Sequence, residues 1–385
     1  MQTTAKRLIA CLLCLIVLLG VVPAPVQALA EALPDDSELT VTNLGIQHET
    51  EFGGTYLKIS VEDFNALGFA FGDSLDITFS NGYTVEGIPY YNGYYTQIGE
   101  PLLVGYPGYR YVDFCINSGG DSFLLGGLTE QDLATVTLAE PGKYLSIQQA
   151  RDIHYQDDRS QYASDVVFAN FRAVTVGDIR EGTLYRSASP CDNRHNRAAY
   201  VDTLMGRAGV QTIIDLADNR EKIAGYIRQS DFNSPSFLKL YEQGGVIPLA
   251  MTMNFTSDDF KAKLIDGLTA MADAPGPYLV HCTEGKDRTG FVCMVLEALG
   301  GADYQAILDD YMITYDNYYG ITEQSDPERY QVIAEQMAAP MLRTFAGETD
   351  DLASVDMTAA VTRYLEDCGM SAQKIETLRA RLTGE

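Results

Sequence analysis

Between residues 36 and 145, apolar and polar side chains alternate in short runs: LTVTNLGI, TYLKISV, SLDITFS, YTVEGIPYY, PLLVGY and YRYVDFCI. The turn signals SNG, YNG, YPG and SGG separate them. Strands spaced in this way predict a barrel or a sandwich, hence a small all-β barrel-like domain over residues 31–145. Seven tyrosines cluster between residues 90 and 111: Tyr90, Tyr91, Tyr94, Tyr95, Tyr106, Tyr109 and Tyr111. They are either strand formers with one wet edge or a binding face.

From about residue 146 the period lengthens. SIQQARDI and RHNRAAYVDTLMGRAG read as helices, AVTVGDI and GTLYRSA as extended, and VQTIIDLA, GGVIPLAM and PYLVH as buried strands. TSDDFKAKLIDGLTAMADA has Thr256 or Ser257 as its N-cap and repeats Phe260, Leu264, Leu268 and Met271 on one face. Strands alternating with helices predict an α/β fold over 146–385, with a central, mainly parallel sheet flanked by helices. Beyond Gly301 the chain reads as helical almost to its end.

The first thirty residues follow a different rule. Lys6 and Arg7 precede an apolar stretch from Leu8 to Val22, and the small residues Ala28 and Ala30 follow. This is the pattern of a signal peptide over 1–30, and it predicts a secreted or extracytoplasmic protein without stable membrane insertion after cleavage. A retained membrane anchor is the alternative, although Leu8–Val22 is short for a span of about 20 residues. Removing 1–30 takes away two cations and no acid, so the net charge moves from -26 to -28. Such a surface repels nucleic acid and anionic lipid, so any anion site must be local. Cys115, Cys191, Cys282, Cys293 and Cys368 remain, scattered and odd in number, which leaves at least one thiol free. His48, His154, His195 and His281 lack zinc-ligand spacing, so neither a metal site nor a cofactor is expected.

One stretch, HCTEGKDRTG at 281–290, gathers the chemistry. It lies between the strand PYLV and the apolar helix FVCMVLEAL, whose positive dipole end faces back onto the loop. Successive loop N–H groups form an anion nest of phosphate size, with Cys282 at its floor. Nearby cations and a helix N-terminus favour the thiolate, which is the attacking form. Arg288 can grip two phosphoryl oxygens, and Gly285 and Gly290 permit close backbone approach. A nucleotide phosphate loop is excluded, because no Ser or Thr follows Lys286 and no glycine lies five residues before it.

The loop resembles that of the cysteine-dependent tyrosine and dual-specificity phosphatases, in the secreted bacterial branch that can also act on phosphoinositides. ANFRAV, GTLYRSASP, IIDLADNREK and VTRYLEDCGMSAQKIETLRARL are similar to further motifs of that family, across roughly 165–385. The resemblance implies a cysteine-phosphatase fold, with Cys282 as nucleophile, Arg288 on the transition state and Asp287 as general acid. Asp215 and Asp218 are reserve acids. His281, Thr283, Glu284, Gly285, Lys286 and Thr289 would contact or frame the substrate. His281 would hold the loop and tune the thiolate, and Thr289 would aid hydrolysis or cap the helix. Cys293 is either a core residue or a redox partner. Ala173 and Ala217 stand where the family usually has Asp and Arg, and Glu284 adds a negative charge inside the loop. The implied substrate is a phosphotyrosyl protein or small phosphomonoester. The alternatives are a phosphoinositide or inositol phosphate, or a weakly active phosphoprotein-binding role. Part of the β-stretch resembles the small barrel of S-adenosylmethionine hydroxide adenosyltransferases, a suggestion of fold alone. Every motif residue lies beyond 165, so the β-domain is expected to stay out of the phosphate pocket.

Overall fold

The computed structural model describes residues 39–384, so the signal peptide expected over 1–30 lies outside the described residues. Seven strands close into a barrel: β1 (Thr40–Glu49), β2 (Gly54–Leu57), β3 (Ser74–Phe79), β4 (Thr84–Tyr91), β5 (Pro101–Val104), β6 (Val112–Ile116) and β7 (Leu133–Glu140). Their order is β1-β2-β6-β5-β4-β3-β7, and β7 pairs with both β1 and β3. Six of these strands match the alternating runs. The seventh, LATVTLAE, carries the same period in smaller residues, and Ala134 and Val136 turn inward to close the wall. Leu57, Phe64, Ile77, Phe79 and Phe114 fill the interior. The domain is not purely β: short helices at Val61–Ala66 and Ser122–Leu125 cover it, each N-capped by a side chain, Ser60 and Asp121.

The second unit holds a five-stranded sheet built from β8 (Arg172–Ala173), β9 (Leu184–Ser187), β10 (Thr212–Asp215), β11 (Val246–Pro248) and β12 (Tyr278–His281). Their order is β11-β10-β12-β9-β8. β10 pairs parallel with β11 and β12, β12 pairs parallel with β9, and the short β8 runs antiparallel to β9. Of AVTVGDI only the first residue lies in a strand. Ser257, not Thr256, caps the helix Asp258–Asp273, accepting from the Phe260 N–H. Phe260, Leu264, Leu268 and Met271 are buried along it as the period requires. The helix Asp287–Leu299 is buried on every side from Thr289 to Leu299, which fixes its N-terminus and the loop before it. Phe291 stacks on Phe255 at 4.9 Å and meets Phe260 edge-on at 5.3 Å. Among the described residues no helix is long and apolar enough to cross a membrane, and all five cysteines are free thiols.

The two units do not stand apart as the sequence suggests. Ile98, from the barrel loop after β4, packs against the core of the α/β unit. Gln97 donates to the Gln336 carbonyl at 3.1 Å, and Asn254 donates to the Ser118 carbonyl at 3.2 Å. Between these contacts runs a cleft of about 1080 Å³, lined from the barrel by Tyr94 and Tyr109 and from the other side by Met253 and Asp287. Asp287 is the residue of the 281–290 stretch that lines this cleft, so the barrel faces the start of the helix behind the loop. Motif residues mark the chemistry of a pocket, whereas its walls come from whatever surface packs beside it. Ile98→Asp would drive a carboxylate against this shared core and is expected to lower stability by about 1–3 kcal/mol, read from the urea midpoint of the full chain.

Candidate active site

His281 ends β12, and the loop from Cys282 to Lys286 leads into the helix at Asp287. Cys282 is 3% exposed, at the floor between the sheet and the helix. Three loop carbonyls are held from outside. The Ser189 N–H donates to the Thr283 carbonyl at 3.1 Å, and the Tyr318 hydroxyl donates to that of Glu284 at 2.6 Å. Asn170 Nδ2 and Arg186 Nη2 both donate to that of Gly285 at 3.2 Å. In a trans peptide the N–H of the next residue points opposite to the carbonyl. The N–H groups of Glu284, Gly285 and Lys286 are thereby turned to the inside of the loop. That is an anion nest made by its supports.

Gly285 has φ +70°, and a side chain there would collide with the Ser187 carbonyl, so only glycine lets the loop lie on β9. At Gly290 a Cβ would stand 2.7 Å from the Tyr311 ring. Behind the loop lies a buried ionic group. Asp310 accepts from Arg186 at 2.6 Å and from Arg172 at 3.0 Å. Burial opposes its ionisation, yet Arg172 and Arg186 hold its carboxyl well below the usual range. Glu297 is buried beside it, and burial together with the Asp310 charge pushes its carboxyl well up. Arg172 also donates to Asn170 Oδ1 at 2.9 Å. The ion pair thus locks the two side chains, Asn170 and Arg186, that grip the Gly285 carbonyl.

The loop's own side chains divide. Arg288 donates to the Met251 carbonyl at 3.2 Å and to Thr283 Oγ1 at 3.4 Å, and its Nε has no protein partner. Lys286 lies 3.3 Å from Glu284 and 3.8 Å from Asp287, so its first ionic partner is Glu284. Burial works against the Lys286 charge, but Asp287 and Glu284 raise its ammonium well above the ordinary range. Burial likewise opposes the charge on Glu284, and Lys286 outweighs it, so that carboxylate is held ionised. The extra negative charge in the loop is matched within the loop. Asp287 lines the cleft, and its Oδ1 has no partner.

His281 is fully buried, with Nδ1 3.3 Å from the Cys282 carbonyl and Nε2 3.9 Å from Asp215. Burial lowers its imidazole to about 4, with Asp218 opposing, so it is neutral at pH 7. Its ring contacts the backbone of Cys282. Thr289 is fully buried without a side-chain partner, and the helix N-cap is Lys286, so Thr289 does not cap the helix. Burial raises Asp215 to about 6, and burial together with Asp215 does the same to Asp218. Sequence spacing shows no ligand set; in the fold Cys191, Asp215 and Asp218 each bring one sulfur or carboxylate oxygen within 4.8 Å of the others, all buried. Cys293 lies at 0% exposure in the core.

A model of the tyrosine phosphatase family matches residues 168–384, more than half of the chain. The chain belongs to the tyrosine phosphatase family. No curated protein matches it. Among solved structures, P. aeruginosa TpbA is 19% identical, over 44% of this chain and 92% of that one, with a TM-score of 0.24. A TpbA variant in complex with pTyr is 18% identical, over 46% and 96%, with a TM-score of 0.25. The core catalytic domain of the PP-IP phosphatase SIW14 from S. cerevisiae, in complex with citrate, is 18% identical over 44% and 98%, also at 0.25. The family match begins at 168, so the likeness of the barrel to the adenosyltransferase barrel gains nothing from it.

Sequence reading of this tyrosine phosphatase leaves the loop's supports unassigned. Asn170, Arg172 and Arg186 sit in quoted motifs, but Asp310 and Tyr318 lie in a helix without a motif, Tyr304–Tyr319. Tyr155 is also missed: its ring stacks on Tyr318 at 5.0 Å, and Glu284 is the leading charge acting on its hydroxyl. Two predictions follow from these supports. Tyr318→Phe removes one outward tie and is expected to cut kcat/KM on an aryl phosphate by about tenfold, with stability within about 1 kcal/mol. Asp310→Asn should cost about 3–5 kcal/mol by leaving two buried guanidiniums without their anion. Glu297→Gln removes a carboxyl whose charge burial opposes and is expected to cost less, so urea denaturation at pH 7 should separate the two variants.

Proposed function

We propose that this tyrosine phosphatase is exported and hydrolyses phosphotyrosine through a cysteinyl-phosphate intermediate. The observation that carries the reading is the phosphate-sized loop whose tethered carbonyls turn three N–H groups inward above Cys282. In this reading the Cys282 thiolate forms a bond to phosphorus as the bond to the phenolic oxygen breaks. Asp287 gives its proton to that oxygen. Arg288, already beside the loop through Thr283, turns its guanidinium onto the phosphoryl oxygens and follows their charge through the transition state. Water then attacks phosphorus, Asp287 takes a proton back, and the thiolate leaves. His281, Thr283, Gly285, Lys286 and Thr289 frame the site around these steps.

Asp287 suits the acid better than its reserves do. It lines the open cleft, whereas Asp215 and Asp218 are 0% and 3% exposed. Phosphotyrosine is favoured over a polyphosphorylated inositol because Lys286, the cation that would meet extra phosphates, already faces Glu284 and Asp287. The overall charge of -26 also opposes an anionic membrane. Export rests on the sequence pattern of residues 1–30.

The test is turnover of p-nitrophenyl phosphate in EDTA. Wild type is expected to remain active, and Cys282→Ser to lose about a thousandfold or more in kcat while still binding a phosphotyrosyl peptide. Asp287→Asn should slow alkyl phosphates by about 10²-fold and aryl phosphates less, since a phenolate leaves without help. Full activity in Cys282→Ser would dismiss the covalent route, and equal losses on both substrates would deny Asp287 its role.

A further inference from the structure

The barrel brings a charge of its own to the cleft. Along β6, Val112 and Phe114 enter the barrel core, while Asp113 and Cys115 face the other way and line the cleft. Asp113 is 3% exposed, and its Oδ1 has no hydrogen-bond partner. Glu49, of the same sign, adds to the effect of burial on it, and a backbone hydrogen bond from Thr55 opposes both. A side chain at position 54 would collide with this carboxylate, so Gly54 leaves the room it occupies. Tyrosines crowd round it. The Tyr94 and Tyr109 hydroxyls are hydrogen-bonded at 3.0 Å, and the Tyr109 ring lies 5.3 Å from Tyr106 and 6.3 Å from Tyr56.

A carboxylate buried without a counter-ion costs several kcal/mol, and the cost falls only if the group is protonated or a cation is supplied. Burial, with Glu49 adding to it, raises Asp113 to about 7, so near neutral pH it stands ready to ionise when a cation arrives. Aromatic faces beside a carboxylate are the chemistry that accepts an ammonium or guanidinium. The cleft has the same sign in balance: Glu100, Asp287, Glu335 and Glu348 join Asp113, against Arg151 and Arg343. At about 1080 Å³ it also exceeds the ~300–1,000 Å³ typical of small-molecule pockets, which suits an extended peptide.

We propose that Asp113, with Tyr94 and Tyr109, forms a subsite for a lysine or arginine side chain of a phosphotyrosyl peptide lying in the cleft. The inference rests on the phosphatase reading above, and it gives the barrel the task of choosing basic substrates. The experiment uses the full chain and two phosphotyrosyl peptides that differ only in carrying flanking lysines or flanking glutamates. Wild type is expected to favour the lysine peptide by about tenfold in kcat/KM, through KM. Asp113→Asn should reduce that preference to less than twofold, and p-nitrophenyl phosphate, too small to reach the barrel, should be turned over as before. Tyr109→Leu is the second variant, expected to reduce the preference in the same way if Asp113→Asn fails to fold. Equal use of both peptides by wild type, or an unchanged preference in either folded variant, overturns the subsite. Loss of p-nitrophenyl phosphate turnover in wild type would instead strike the phosphatase reading. In that case anisotropy of the labelled peptides still reads the subsite directly, with equal binding of both counting against it.

Discussion

The catalytic loop of this protein is shaped by bonds to its outer side. A backbone loop has no reason of its own to point its N–H groups at one spot, because their dipoles repel one another there. Here the opposing carbonyls are held away by Ser189, Tyr318, Asn170 and Arg186, and peptide planarity does the rest. Two of those four supports are themselves fixed by the buried group of Arg172, Arg186 and Asp310. A buried ion pair is weak evidence for net stability, since desolvation offsets much of its attraction. Its value here is positional. It holds a guanidinium in one place and orientation, at the back of the site where a phosphoryl group is to dock.

The loop was legible in the sequence because its residues are adjacent. The motif runs from the end of β12 through the loop into the first turn of an apolar helix, which leaves few interpretations, and the fold places it at that strand–loop–helix junction. The supports were illegible for the opposite reason. Asn170, Arg186 and Tyr318 converge on one loop from three distant places, and a tyrosine in a tyrosine-rich helix carries no local mark of its partner. The barrel shows the same division. Alternation revealed six strands, whereas β7 was passed over because its inward residues are small. That the barrel would wall the cleft depended on Ile98 and Gln97, two unremarkable residues whose partners lie far along the chain. The matched charges of Glu284 and Lys286 also change the meaning of a departure noted in the sequence, since the added acid neutralises a neighbour and leaves the nest intact.

The placement of Asp310 and Tyr318 in the helix Tyr304–Tyr319 has a consequence in time. Cys282 and Arg288 are synthesised before the residues that give their loop its shape. A chain growing from its N-terminus therefore holds the Cys282 thiol and Arg288 without an organised nest until residue 319 has emerged and its helix has docked. Local sequence supplies the reagents early, and long-range packing completes the site late.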